Sequence, residues 1–327
     1  MDIRTIERGT ALVRRSERPN WDLTRLNLLK HFEFNGRIWT SKHYPAEAQP
    51  LDPNHRRFFY PGQQLSPLII GTPKDLAYYP VSGAQHPEFR EAGPQTFLYL
   101  KKYLLIPTKG RRLVLLSDTH NHAYFGWHLA KEQRLIGKPT VLIHIDGHKD
   151  NYFPVKHHTR WPRGVPRMKS SRHWTLNDRA RIAQEWLDIH DYLAFDDRFF
   201  REVAYVLPEF SKKNINVYSH GLEMRTMEGQ FLSIENVGKF IQDLKTAGYD
   251  VIVNLDLDYF AGYFPGAYLT DPRICEKPLL LPFDENLRLV IEAVKQAEFI
   301  TVATSPDWFL PQETVVRDLA ERIIAEL

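Results

Sequence analysis

The sequence predicts an α/β fold with a mainly parallel, doubly wound sheet, and three observations carry that prediction. Five short runs rich in Leu and β-branched residues stop abruptly at polar residues: RRLVLLSDTH, GKPTVLIHIDGH, NINVYSHG, YDVIVNLDLD and AEFITVATSPD. Apolar runs of this length suit strands covered on both faces. Three stretches between them, LNDRARIAQEWLDIHDYLAF, IENVGKFIQDLKTAG and ENLRLVIEAVKQA, carry apolar residues at three and four spacing and read as helices. Strand and helix in alternation imply crossover units and a parallel sheet.

From Met1 to about Gln95 the chain is dense in turn formers and aromatics, as in HYPAEAQPLDPNHRRFFYPGQQLSP, and irregular packed structure is expected around one strand-like run, Leu68 to Ile70. The five strand runs and three helices then follow, with Gly248 placed to end the second helix in a left-handed cap. No repeat and no Gly/Ser linker divides the chain. A single domain over 1–327 is expected, with 1–95 as an elaboration and 96–327 as the core.

The 327 residues hold 43 Lys+Arg against 40 Asp+Glu, a net charge of +3, which is too even to argue for a nucleic-acid partner. The one cysteine, Cys275, rules out an internal disulfide framework and a thiolate zinc cluster, so any metal must be held by His and carboxylates. The first twenty residues lack the apolar core of a signal peptide, and no apolar run approaches the roughly 18 residues of a membrane span. A cytoplasmic protein without membrane contact is the expectation.

In such a sheet, sites form outside the carboxyl ends of the strands, so the residues closing each run are the informative ones. VLIHI ends in Asp146, Gly147, His148, Lys149, Asp150, and VIVNL ends in Asp256, Leu257, Asp258. Side chains alternate along a strand, which lets Asp146, His148 and Asp150 share a direction, and likewise Asp256 and Asp258. A third run closes with Asp118, Thr119, His120, Asn121, His122; His120 is the candidate ligand there, with Asp118 and His122 as substitutes. Four carboxylates at neighbouring strand ends repel one another unless cations intervene. Two divalent cations balance them in formal charge, and the mixed N/O donor set suits Mn²⁺, Zn²⁺, Co²⁺ or Fe²⁺ better than Ca²⁺. A lone DxD is ordinarily a turn or helix cap; it is the joint occurrence of both motifs at the ends of buried runs that points to a binuclear metal centre.

The order His, DxHxD, DxD, each closing a strand, resembles the arginase and ureohydrolase fold shared with metal-dependent deacetylases, a three-layer α/β architecture. The wording LSDTHNHAYFGW, HIDGHKDNYFP, NLDLDYF and FITVATSPD is similar to the divergent branch of that fold numbered 489, which includes peptide arginases acting on ribosomally made precursor peptides. The resemblance covers about Arg111 to Trp308. It implies one manganese on His120, Asp146, Asp150 and Asp256 and a second on Asp146, His148, Asp256 and Asp258. It further implies attack of a bridging hydroxide on an arginine guanidinium to give ornithine and urea, with Asp150 orienting the hydroxide and passing its proton on.

The chain departs from ordinary arginases in having Ser117-Asp118-Thr119 where they carry a glycine-rich segment. His157, His158 and His173 compete for the proton-shuttling role, with His157 or His158 preferred. Asp307 is the first candidate to hold the substrate guanidinium and Glu223 the second. The segment Thr159 to His173, with Arg160, Arg163, Arg167, Lys169 and Arg172, is either a solvated basic loop or a platform for an acidic stretch of the precursor peptide. Rival readings are a free-amino-acid ureohydrolase, a binuclear amidohydrolase or deacetylase, and, from another class, a metal-dependent nucleic-acid-binding protein.

Overall fold

A computed structural model of the chain describes residues 68–72, 75–82, 96–100, 103–108, 112–147, 152–154, 174, 179, 183, 192–195, 199–208, 224–226, 229–264, 281–305 and 313–327. In chain order the strands are β1 (Leu68–Ile70), β2 (Tyr78–Ser82), β3 (Thr96–Leu100), β4 (Tyr103–Pro107), β5 (Leu113–Ser117), β6 (Thr140–Ile145), β7 (Tyr152–Pro154), β8 (Glu202–Val206), β9 (Met224–Thr226), β10 (Gln230–Phe231), β11 (Asp250–Asp256) and β12 (Phe299–Ala303). The helices are α1 (Asn121–Glu132), α2 (Tyr192–Phe195), α3 (Ile234–Thr246), α4 (Phe283–Val294) and α5 (Glu313–Glu326), with a 3₁₀ segment at Leu257–Tyr263.

The main sheet has the order β1-β4-β5-β12-β11-β6-β8-β10. All neighbours are parallel except β4 and β5, so the edge pair β1 and β4 runs against the other strands. The central strands β5, β6, β11 and β12 are buried at every position, as continuous apolar runs require. From β5 the chain crosses through α1 to β6, passing over β12 and β11, whereas α3 and α4 lead back the other way, to β11 and then β12. Right-handed crossovers in opposite directions put α1 on one face and α3 with α4 on the other. The contacts agree, with α1 lying against β5 and β12, and α3 against β11 and α4. The class is α/β, with a mainly parallel sheet between two helical layers.

Two glycines answer local demands. A Cβ on Gly126, mid-α1, would stand 2.6 Å from Leu115 Cδ2, so this helix approaches the sheet closely only because that position is bare. Gly248 has φ +90° and follows α3 in a Schellman arrangement, Tyr249 N donating to Leu244 O and Gly248 N to Lys245 O, as the sequence led one to expect.

Several expectations need adjusting. The first 95 residues are not wholly irregular, since Tyr78–Ser82 forms a strand paired with β3. Helices α1 and α5 and strands β3, β4 and β8 were not singled out in the sequence; α1 carries buried aromatics and histidines around its circumference, which blurs its period. The run NINVYSHG lies outside the described residues, as do most of LNDRARIAQEWLDIHDYLAF and the Arg-rich segment Thr159 to His173. Among the described residues, no helix is long and apolar enough to cross a membrane.

Candidate metal centre

The topology selects one crevice. From β6 the chain moves outward to β8, while from β11 it moves the opposite way to β12, and β6 and β11 are neighbours. Strands whose onward connections diverge leave an opening above their carboxyl ends. Asp146 follows the last residue of β6, and Asp256 is the last residue of β11.

His120 reaches the same place from the start of α1, for which it is the N-cap residue. Its Nδ1 lies 3.0 Å from Asp146 Oδ2, and its Nε2 contacts Asp256 Oδ2. One ligand atom from each of His120, Asp146 and Asp256 falls within 4.8 Å of the others, and all three residues are buried, a grouping that could hold a metal ion. Asp258 is fully buried beside them. Its Oδ1 accepts from Gly147 N at 2.8 Å, which ties the DxD segment to the DGH segment, and its own N donates to Asp256 Oδ1 at 2.8 Å. A Cβ at Gly147 would lie 2.8 Å from Asp258 Oδ1, which explains the glycine inside the DGH wording.

Electrostatics show what this arrangement lacks. Burial, and then the charge of Asp258, push the Asp256 carboxyl up to about 8. Asp146 meets the same burial and the same Asp258 charge, but His120 and His144 outweigh them and hold its carboxyl below the usual range. Three buried carboxylates cannot all stay ionised beside neutral imidazoles without added positive charge. A divalent cation fits that donor set; the carboxylates supply hard oxygens and His120 a nitrogen.

The structure also sorts the substitutes near His120. Tyr103 on β4 donates its hydroxyl to Asp118 Oδ1 at 2.8 Å and lies 3.0 Å from His122 Nε2. Burial drives His122 down to about 3, so it is a neutral donor to Tyr103. Asp118 and His122 thus belong to a hydrogen-bonded chain with the antiparallel strand, and His120 alone of the three joins the carboxylates. His148, Asp150, His157, His158, His173, Glu223 and Asp307 lie outside the described residues.

Sequence reasoning missed Ser305. Its Oγ donates to Asp256 Oδ2 at 2.6 Å and lies 3.3 Å from His120 Nε2. Its φ is +39°, a left-handed conformation that costs a serine about 1 kcal/mol or more, held by a hydrogen bond from its N to Asp118 O at 2.8 Å. The signal available was the polar end of FITVATSPD, since a strand closing beside β11 must deliver its last residues to the same crevice.

No family model and no curated protein sequence matches the chain. Among solved structures it is similar to a chain from Clostridium difficile described as a candidate agmatinase, with TM-score 0.34 and 13% identity over 69% of this chain and 66% of that one. It is also similar to Helicobacter pylori arginase, with TM-score 0.34 and 14% identity over 67% of this chain and 72% of that one. The chain thus spans just under two thirds of the first of these structures, and overlap at this level assigns no activity.

Proposed function

We propose that the chain is a metal-dependent hydrolase of the ureohydrolase kind, converting arginine side chains of a ribosomally made precursor peptide to ornithine with release of urea. The observation that carries the reading is the convergence of His120, Asp146 and Asp256, with Asp258 alongside, at the switch point of a parallel sheet. The order of motifs along the chain, including the DxHxD wording Asp146, His148, Asp150, supports two manganese ions. In this reading His120, Asp146, Asp150 and Asp256 hold one ion, and Asp146, His148, Asp256 and Asp258 the other.

When bound, divalent cations supply Lewis acidity that makes water a nucleophile near neutral pH. The protein's own groups do the rest. Asp258 N and Ser305 Oγ donate to the two oxygens of Asp256, and Gly147 N donates to one oxygen of Asp258, so the orientation of each carboxylate is fixed before a cation arrives. Water oxygen bonds to the guanidinium carbon, the bond from that carbon to the chain nitrogen breaks, and a proton passes to the departing amine. Asp150 is assigned the first handling of that proton, His157 or His158 its relay, and Asp307 or Glu223 the grip on the guanidinium. The Arg-rich stretch from Thr159 to His173 favours a peptide with an acidic segment over a free amino acid.

Mass spectrometry of an arginine-containing peptide incubated with the protein and Mn²⁺, beside free arginine and an acetyl-lysine peptide, tests this. The expected result is a loss of about 42 Da at arginine, the mass of CH₂N₂, with urea released. Turnover of free arginine alone overturns the peptide substrate, and removal of the acetyl group without change at arginine overturns guanidine hydrolysis.

A further inference from the structure

Beneath Asp146 and Asp256 runs a row of buried polar side chains on the sheet face that carries α1. His144 on β6 and Asn254 on β11 each stand two residues before the aspartate at that strand's carboxyl end, hence on the same face. Thr301 on β12 pairs in register with Asn254, and Tyr192 comes from α2, which packs against α1. None of the four is more than 2% exposed.

Their hydrogen bonds have a direction. Thr301 Oγ1 donates to Asn254 Oδ1 at 2.6 Å, leaving the amide nitrogen to face Tyr192 Oη at 2.8 Å and His144 Nδ1 at 3.0 Å. An amide nitrogen only donates, so His144 Nδ1 must accept. The imidazole proton is then on Nε2, which lies 3.3 Å from Asp146 Oδ2. Reversing the amide would place its oxygen against His144 Nδ1, move the proton there, and turn a lone pair on Nε2 toward the carboxylate. The negative charge of Asp146 therefore selects the first orientation. The ring has little room to turn, with Tyr205 edge-on at 5.7 Å and 90°.

We propose that Thr301, Asn254 and His144 form a chain of fixed hydrogen-bond polarity that presents the His144 Nε2 proton to Asp146 and thereby positions that carboxylate for a divalent cation. His144 is a positioning residue here, acting through Asp146. The proposal rests on reading Asp146 as a metal ligand. His144 Nε2 and Asp146 Oδ2 form a close charge contact outside hydrogen-bond geometry, and a ligand carboxylate with one oxygen facing a fixed positive dipole turns the other to the metal at no further ordering cost. Tyr192, accepting from Asn254, extends the chain to His120, whose Nδ1 is 3.4 Å from the phenol oxygen.

The first test is the nitrogen chemical shifts of the His144 ring in the metal-free protein, which report its tautomer. The expected form is Nε2–H, and an Nδ1–H ring or a doubly protonated ring overturns the proposal. The second is Mn²⁺ titration of three variants. Asn254→Asp keeps the shape but replaces the donor with an acceptor, and His144→Leu removes the imidazole; each is expected to weaken Mn²⁺ binding about 10- to 100-fold. His144→Gln, whose amide can donate from the place of Nε2, recovers most of the loss. Folded Asn254→Asp or His144→Leu protein that binds Mn²⁺ as tightly as the unmodified chain overturns the proposal. If the unmodified chain binds no Mn²⁺, the metal reading of Asp146 falls, and the tautomer still decides the polarity of the chain. That measurement also stands if a variant fails to fold.

Discussion

The two ends of the central strands treat carboxylates in opposite ways. At the amino end, Asp250 Oδ2 accepts from Gly137 N at 2.7 Å and Lys138 N at 2.8 Å, and Glu298 accepts from Val251 N at 2.8 Å while pairing with Lys245 at 3.1 Å. Those acids finish loops; the protein itself supplies main-chain donors and, for Glu298, a countercharge. At the carboxyl end, Asp146, Asp256 and Asp258 crowd together beside His120 and His144, and the carboxyl of Asp256 is pushed up to about 8 by burial and by Asp258. A buried acid that the fold has satisfied is structural, and a buried cluster that needs charge from outside is a candidate site.

The largest effects should fall on one end only. Asp256→Ala or Asp146→Ala is expected to abolish Mn²⁺ binding and turnover while leaving circular dichroism unchanged, and retained turnover in either would sink the binuclear reading. Asp250→Ala, at the other end, should leave two main-chain donors unsatisfied and cost about 1–3 kcal/mol in denaturant unfolding with Mn²⁺ binding intact. Equal loss of metal binding in both variants would erase the contrast between the ends.

Gly147→Ala sharpens the comparison within the site. The new methyl would meet Asp258 Oδ1 at 2.8 Å, forcing that carboxylate to move. Calorimetric titration should show Mn²⁺ affinity lower by about tenfold or more, with unfolding little changed; unchanged affinity would mean that Asp258 is not held for a metal.

The pH dependence of stability should differ between metal-free and Mn²⁺-loaded protein. In the metal-free fold Asp256 keeps its proton up to about 8, whereas the unfolded chain releases it near 3.8. Its stabilising contribution is therefore complete below about 3.8 and is lost as pH rises through 8. His122 acts oppositely; its folded value of about 3 against 6.5 unfolded gives a contribution present above 6.5 and lost as pH falls toward 3. Thermal unfolding across pH should show a decline from about 6.5 to 8 in metal-free protein, above the range where His122 opposes it, and its disappearance with Mn²⁺. A decline of equal size over that range in both forms would contradict this assignment.

The smallest effect lies away from both ends. Arg134 follows α1 with φ +55°, in the same capping arrangement that Gly248 provides after α3. Arg134→Gly should raise stability by about 0.5–1 kcal/mol, read by denaturant midpoint, and leave the site untouched.

The strands that carry the site were legible because their apolar runs break off at acidic residues, and Asp146 and Asp256 stand at the end of β6 and β11 as those breaks suggest. Histidine at the head of α1 was harder. Asp118, His120 and His122 look alike in sequence, and only Tyr103, from a strand whose antiparallel placement has no local signal, separates them. Ser305 depends on β12 lying beside β11, a pairing across 47 residues. His144 and Asn254 were visible as polar interruptions of VLIHID and VIVNLD, two positions before each aspartate, where strand geometry puts them on the ligand face. Their period carried the information, but their partners come from other strands and from α2.

The most direct measurement is anomalous diffraction from crystals grown with Mn²⁺. Manganese peaks are expected within bonding distance of His120, Asp146, Asp256 and Asp258, at the carboxyl ends of β6 and β11. Crystals with no peak there, or with manganese only beside Asp250 at the opposite end, would contradict that placement.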